Sequence, residues 1–273
     1  MRNWWVKLVL VALFAVAVRI GLEFVIPASE LNDLMLMIEA SALSQSSFFP
    51  LVFTIYAWIS YFMIALFAVD LAETSGRHQP GRIIGLIAVL WVVYLLEPLP
   101  SLDYSDFFKE NFFVAFKYQI ADSLALLVMG LIVGMLYKKI RPAVVRDTSA
   151  LSVQSSRLLV PFVLYYLTVV CLRFLLDQAE WAWGINPQTL RYLLWCLMIC
   201  LLNFFIYLYL AGGFKQTHAV KALRLLMFNI LFFNFFVLLI VKVNPLNLAL
   251  RGLADYLPLL WLRIPYKNIH EKI

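Results

Sequence analysis

The chain has 273 residues, of which 64% are hydrophobic and only 14% are charged, whereas roughly a quarter of an ordinary globular chain is charged. This composition excludes a soluble protein with one packed core. The apolar residues also come in long blocks instead of alternating at every second position, which argues against a transmembrane barrel. We therefore predict an all-α integral membrane protein.

Eight segments are long and apolar enough to be predicted as transmembrane helices. The first begins like a secretion signal, but Arg19 and Glu23 interrupt its apolar stretch and its length suffices to span, so we interpret it as a retained helix. The last is short and contains Pro258, which predicts a tilted, broken or re-entrant helix. The eight segments are 4–26, 48–69, 83–99, 113–137, 158–176, 190–211, 224–243 and 247–263.

The connections predict the orientation of the chain. Lysines and arginines concentrate in alternate connections and at both termini, which by the positive-inside rule places both termini in the cytoplasm. The net charge of +6 then reflects orientation and attraction to anionic headgroups, and no basic run is dense enough to predict a nucleic-acid partner. We expect a multi-pass protein of a plasma membrane or a bacterial inner membrane.

The chain also shows signs of an internal duplication. Residues 1–140 form a first predicted four-helix half, which includes an outer amphipathic helix near 30–43. Residues 141–157 form a cytoplasmic linker, and residues 158–273 form the second half. Similar sequences recur in the two halves, which predicts a parallel 4+4 repeat about an axis normal to the membrane. The matched sequences are Ala121-Asp122-Ser123-Leu124 with Ala254-Asp255-Tyr256-Leu257, and Arg19 and Glu23 with Arg173 and Asp177.

Six ionisable residues in these segments are the predicted ligand- or ion-binding residues. A charge at the bilayer centre costs about 2.5 to 3.5 kcal/mol on insertion scales, so each needs a compensating interaction. The proposed topology places all six in the outer part of the membrane, where arginines would hold an anionic group or carboxylates would hold a proton or cation. The alternative is that the charges only pair with one another and lock helices together. The six residues are Arg19, Glu23, Asp122, Arg173, Asp177 and Asp255.

These features favour a transporter, a flippase or a membrane subunit of a transport system. One alternative is a non-enzymatic regulatory, assembly or immunity subunit that binds another membrane protein, and another is an enzyme that modifies envelope lipids or glycans. The sequence has no His-Glu-x-x-His or nucleotide-binding glycine motif, and we predict no catalytic residue, metal or cofactor. The expected partners are the bilayer, a small anionic or lipid-linked ligand, and a membrane protein.

Overall fold

A computed structural model gives the fold of the protein. The structure describes residues 4–25, 41–73, 79–96, 112–140, 156–178, 190–210 and 244–263, together with residues 224, 228, 239 and 242. Every regular element in these ranges is a helix, and none of the described residues forms a strand. The chain divides into two compact units, Met1–Asp147 with Phe236–Val243, and Thr148–Phe235 with Asn244–Ile273.

The first unit contains four long helices. They are α1 (Trp4–Glu23), α2 (Phe49–Glu73), α3 (Gln79–Leu96) and α4 (Phe112–Ile140). Helix α4 contacts the other three, and its most extensive contact is with α3. The core consists mainly of aliphatic and small residues from all four helices, including Ala15, Ile64, Leu90 and Ala125, each at most 2% exposed. A polar side chain in this setting therefore depends on other protein groups for its partners.

The second unit is arranged around α5 (Ser156–Gln178). Helices α6 (Leu190–Leu210) and α7 (Pro245–Tyr256) and the 3₁₀-helix η1 (Leu257–Arg263) all contact α5. The start of α7 is encoded locally, because the Asn244 side chain accepts a hydrogen bond from the backbone N–H of Leu246 at 2.9 Å. Pro245 occupies the first helical position, where a missing N–H costs nothing.

Pro258 marks the change from α7 to η1. Proline has no N–H to donate, so the α-helix ends at Tyr256 and the chain continues with the tighter 3₁₀ pattern and. Two hydrogen bonds fix η1 in its unit: the Tyr207 hydroxyl donates to the carbonyl of Leu262 at 2.8 Å, and the Trp261 indole donates to Thr168 Oγ1 at 3.0 Å. The predicted break in the last segment is thus observed as a change of helix type.

Three helical stretches are long and apolar enough to cross a membrane: Trp4–Glu23, Phe49–Asp70 and Leu159–Leu176. Shorter apolar stretches in the described residues are Ile83–Val92, Ile120–Leu136 and Cys196–Phe205. Many large apolar side chains on the long helices point outward, as lipid-facing residues do, and in water so much exposed apolar surface would promote aggregation. They include Leu10, Phe14, Leu51, Ile55, Val160 and Leu167.

Seven of the eight predicted segments overlap a helix whose bounds the structure gives. Two helices of the first unit extend beyond their predicted ends, α2 to Glu73 and α4 to Ile140. Apart from residues 224, 228, 239 and 242, the predicted segment 224–243 lies outside the described residues. Most of the predicted amphipathic helix near 30–43 does too, and its last two residues, 42 and 43, form a turn. Immediately before this turn, Ser41 Oγ donates to the carbonyl of Leu239 at 2.6 Å.

Gly130 allows α3 and α4 to pack closely. A Cβ atom at this position would lie 2.5 Å from Cγ2 and 2.6 Å from Cβ of Ile87, so Ile87 or the helix backbone would have to shift. We expect Gly130→Ala to lower the free energy of unfolding by about 1 to 3 kcal/mol through overpacking. Thermal unfolding of the purified chain in nanodiscs measures this loss.

Gly21→Ala is the matched control for Gly130→Ala. A Cβ at Gly21 meets nothing within 4 Å, so this variant should unfold at the wild-type temperature or slightly above it. Combining Gly130→Ala with Ile87→Ala should cost less than the sum of the two single substitutions, because the smaller side chain at 87 relieves the overpacking. Equal effects of the two glycine substitutions would contradict close packing at Gly130.

Candidate functional site

Arg19 is the centre of a charged cluster in the first unit. It lies on α1, only 3% of its surface is exposed, and its Nε donates to Asp122 Oδ1 on α4 at 2.5 Å. Its Nη1 forms an ion pair with Glu23, one helical turn further along α1. We call Arg19, Glu23 and Asp122 the first charged cluster.

Two aromatic residues of α2 complete the surroundings of Arg19. The guanidinium carbon lies 4.2 Å from the centroid of the Phe53 ring, a cation–π contact and. The Tyr61 hydroxyl donates to the backbone carbonyl of Asp122 at 3.3 Å. Three helices, α1, α2 and α4, therefore contribute to this polar site.

The carboxylates of the first charged cluster are partly open. The side chain of Asp122 is 23% exposed and that of Glu23 is 38% exposed, whereas the side chain of Arg19 is 4% exposed. Among the described residues, Asp122 accepts a side-chain hydrogen bond at Oδ1 and none at Oδ2. The cluster therefore keeps its cation inside, while the side chains of both carboxylates remain partly exposed.

In the second unit, Arg173 and Asp255 form a charged pair. Arg173 lies on α5 and Asp255 near the end of α7. The guanidinium donates to both carboxylate oxygens, from Nε to Oδ1 at 2.7 Å and from Nη2 to Oδ2 at 2.8 Å. The side chains are 10% and 14% exposed. This two-pronged geometry is the strongest that an arginine and a carboxylate form, and it occupies both oxygens of Asp255. We call it the second charged pair.

A buried polar contact joins α5 and α6 in the second unit. Asn203 donates from Nδ2 to the Tyr165 hydroxyl at 3.3 Å, and both residues are buried. An asparagine in an apolar segment predicts a hydrogen bond between helices, and this bond is present. Nothing in the sequence marks Tyr165 as its partner, because tyrosine is common in the apolar segments of this chain.

The structure distributes the six predicted site residues between the two units. Arg19, Glu23 and Asp122 come together in the first unit, and Arg173 and Asp255 come together in the second. Asp177 belongs to α5, and its side chain lies outside the described residues. Phe53 and Tyr61 are additional site residues for which the sequence gives no signal, because aromatic residues occur throughout the apolar segments.

The contacts limit what each group can bind. Arg19 and Arg173 are both engaged by carboxylates, so an anionic ligand would have to displace one of them. The open carboxylates of the first charged cluster can instead accept a proton, a cation or a hydrogen-bond donor without breaking the contact of Arg19 with Asp122. Comparison of the chain with protein-family models, curated proteins and solved structures finds no match.

Proposed function

We propose that the protein is a multi-pass membrane transport protein, acting as a transporter, a flippase or a membrane subunit of a transport system. In this proposal the chain crosses the membrane about eight times as a parallel 4+4 repeat, with both termini in the cytoplasm. The first charged cluster then lies near the outer side of the membrane and is the ligand-binding site. The observation that carries the proposal is an arginine buried between three helices whose two carboxylate partners remain partly exposed.

The contacts within each unit support the duplication. In both units an arginine from the first helix, α1 or α5, pairs with the aspartate of an Ala-Asp-x-Leu sequence in the last helix, α4 or α7.

The free-energy cost of keeping charged side chains in a membrane segment supports a functional role for the first charged cluster. Helix locking alone is served best by a closed pair such as that of Arg173 and Asp255, in which both carboxylate oxygens are occupied. The first cluster places two carboxylates against one arginine, and the side chains of both carboxylates are partly exposed. Exposed and unbalanced charge inside a membrane segment is typical of ion and substrate pathways.

The second charged pair favours one alternative, a non-enzymatic subunit that binds another membrane protein. Such a subunit would use its buried charges to hold its own helices and would present an apolar exterior to a partner. The enzymatic alternative has less support, because an arginine hydrogen-bonds to a carboxylate oxygen of each aspartate. A general acid or base needs a freely exchangeable proton.

Asp122→Asn tests the proposal. The amide keeps the size of the side chain and an oxygen that accepts from Arg19, while it removes the charge. The full chain is purified in nanodiscs, and everything that it retains is identified by mass spectrometry. We expect the wild type to retain a small ligand or lipid, Asp122→Asn to lose it, and the amount of protein in the membrane to stay within about a factor of two, because the ion pair of Arg19 with Glu23 remains.

The same experiment separates the alternatives. A stoichiometric membrane-protein partner that Asp122→Asn still retains would support the interaction subunit and contradict the transport proposal. Turnover of a lipid-linked substrate by the purified chain alone would support the enzyme. A parallel loss of abundance and ligand in Asp122→Asn would show that Asp122 serves packing.

A further inference from the structure

One hydrogen bond of the first unit joins residues that are far apart in the sequence. Ser41 lies immediately before the turn that precedes α2, and its Oγ donates to the carbonyl of Leu239 at 2.6 Å, across 198 positions. Ser41 is buried, with 8% of its surface exposed. Leu239 belongs to the stretch Phe236–Val243, which is part of the first unit, whereas the chain on either side of this stretch is part of the second unit. The second half of the sequence therefore contributes a piece of the first unit, and Ser41 contacts it.

The carbonyl that Ser41 contacts lies near the end of a helix. Leu239 is helical, whereas Lys242, three residues later, is not. The last carbonyls of an α-helix have no N–H partner in their own helix, and a buried carbonyl without a partner is unfavourable. The Ser41 hydroxyl supplies such a partner from a distant part of the chain. It therefore caps the helix end at Leu239.

Hydrogen bonds in its own turn orient the Ser41 hydroxyl. The Ser41 oxygen accepts from the backbone N–H of Ser44 at 2.9 Å, and the Ser41 carbonyl accepts from the Ser44 hydroxyl at 2.8 Å. The backbone N–H of Phe49 donates to the carbonyl of Ser46 at 3.1 Å, which joins the turn to the first residue of α2. Because the Ser41 oxygen accepts a hydrogen bond within the turn, its own proton can donate to Leu239.

The Ser41 turn is attached to the end of α2 that also contacts the first charged cluster. Phe49 is the first residue of α2, and Phe53 follows it by about one helical turn. The centroid of the Phe53 ring lies 4.2 Å from the guanidinium carbon of Arg19. The helix end at Leu239 and the charged cluster are therefore connected to the same end of α2, through Ser41 on one side and through Phe53 on the other.

We propose that Ser41 is a latch, whose hydroxyl fastens the helix end at Leu239, from the second half of the sequence, to the end of α2 that contacts the first charged cluster. In the proposed topology both residues lie on the outer side of the membrane. Ser41 follows the first outward helix, and Leu239 lies near the end of the segment 224–243, which also runs outward. The latch goes beyond the proposed function and applies to a transporter and to an interaction subunit alike, because it concerns how the chain is joined to itself.

Ser41→Ala is the decisive variant, because it removes the hydroxyl that caps the helix end at Leu239. Amide hydrogen exchange of the full chain in nanodiscs is measured by mass spectrometry, and peptides that cover residues 41–48 and 236–243 are compared. We expect exchange to rise in both peptides, and by at least about fivefold in the distant one, since a helix end that loses the partner of its carbonyl opens more often.

Two further variants separate the latch from the turn. Ser44→Ala removes only the hydroxyl bond to the Ser41 carbonyl, so it should raise exchange in the peptide of residues 41–48 alone. Ser41→Thr keeps a hydroxyl and should retain the wild-type exchange in the peptide of residues 236–243.

Faster exchange of Ser41→Ala only in residues 41–48 would show that Ser41 serves its own turn and would overturn the latch. Equal acceleration of residues 236–243 in Ser44→Ala and Ser41→Ala would overturn it too, because any loosening of the turn would then have the same effect. The result needs no bound ligand, so a failure of the transport proposal in the Asp122→Asn experiment leaves this test unaffected.

Discussion

Replacing Arg173 by methionine should lower the free energy of unfolding by about 3 to 5 kcal/mol. The substitution removes both hydrogen bonds to Asp255 and leaves that carboxylate, whose side chain is only 14% exposed, without its guanidinium partner. The free-energy cost of burying a carboxylate without its cation is far larger than the net stabilisation that the intact ion pair provides. Thermal unfolding in nanodiscs and the amount of chain in the membrane are the two measurements.

The double variant Arg173→Met with Asp255→Leu provides the control. Because it removes both charges, it should recover most of the stability lost in Arg173→Met, which a double-mutant cycle quantifies as coupling between the two positions. A double variant as unstable as the single one would show that Arg173 stabilises the unit through other contacts. A wild-type unfolding temperature for Arg173→Met would contradict a buried ion pair.

Arg19→Met should have an effect of similar size, about 3 kcal/mol. The substitution leaves two carboxylates, Glu23 and Asp122, without their cation and removes the contact with the Phe53 ring. Partial exposure of both carboxylates limits the loss, because water can reach them. Unfolding in nanodiscs again provides the measurement.

The order of stability among variants at this cluster is a sharper test. Arg19→Lys keeps the positive charge but loses the guanidinium nitrogens that reach both carboxylates. Its free energy of unfolding should therefore lie between those of the wild type and Arg19→Met. Asp122→Asn should cost less than either, because the pair of Arg19 with Glu23 remains. Arg146→Met, in the predicted linker, controls for the loss of a positive charge. If Asp122→Asn were as unstable as Arg19→Met, the assignment of Arg19 as the shared cation would be wrong.

Much of the fold follows from the sequence by simple rules. Long apolar runs predict the helices, and Pro258 predicts the break after Tyr256. Helix α7 begins at Pro245, two residues before the predicted segment 247–263. Arg19 and Glu23 are also recognisable, because charges are rare in apolar segments and a spacing of four puts them on one helical face. The length of an apolar run, the spacing of charged residues and the free-energy cost of a charge in an apolar segment all depend on nearby residues. They can therefore be judged from the sequence alone.

The contacts between helices could not be predicted in the same way. Arg19 and Asp122 are 103 positions apart, and several pairings of the charged residues satisfy the same charge balance. The sequence also gives no indication that Asp255 forms a closed two-pronged contact while Asp122 stays partly open, because this difference depends on the exact approach of the helices. Phe53 and Tyr61 contact the cluster, but they are indistinguishable in sequence from the other aromatic residues that face lipid or core.

The most direct test of the central claim is to determine on which side of the membrane the first charged cluster lies. Helix α1 has 20 residues, which at 1.5 Å per residue spans about 30 Å, the thickness of a bilayer core. Val25, two residues beyond Glu23, is 78% exposed, and Trp5 at the other end of α1 is 55% exposed. Val25→Cys and Trp5→Cys are made separately in a chain in which the exposed Cys171 is replaced by serine. Intact cells are then treated with a membrane-impermeant maleimide.

We predict that Val25→Cys is labelled from outside intact cells and that Trp5→Cys is labelled only after permeabilisation. This result would place Glu23 and its partners near the outer surface, where the site that we propose must open. Labelling of Trp5→Cys in intact cells together with protection of Val25→Cys would reverse the orientation. Labelling of both positions from the same side would contradict a membrane-spanning α1 and, with it, the proposed site.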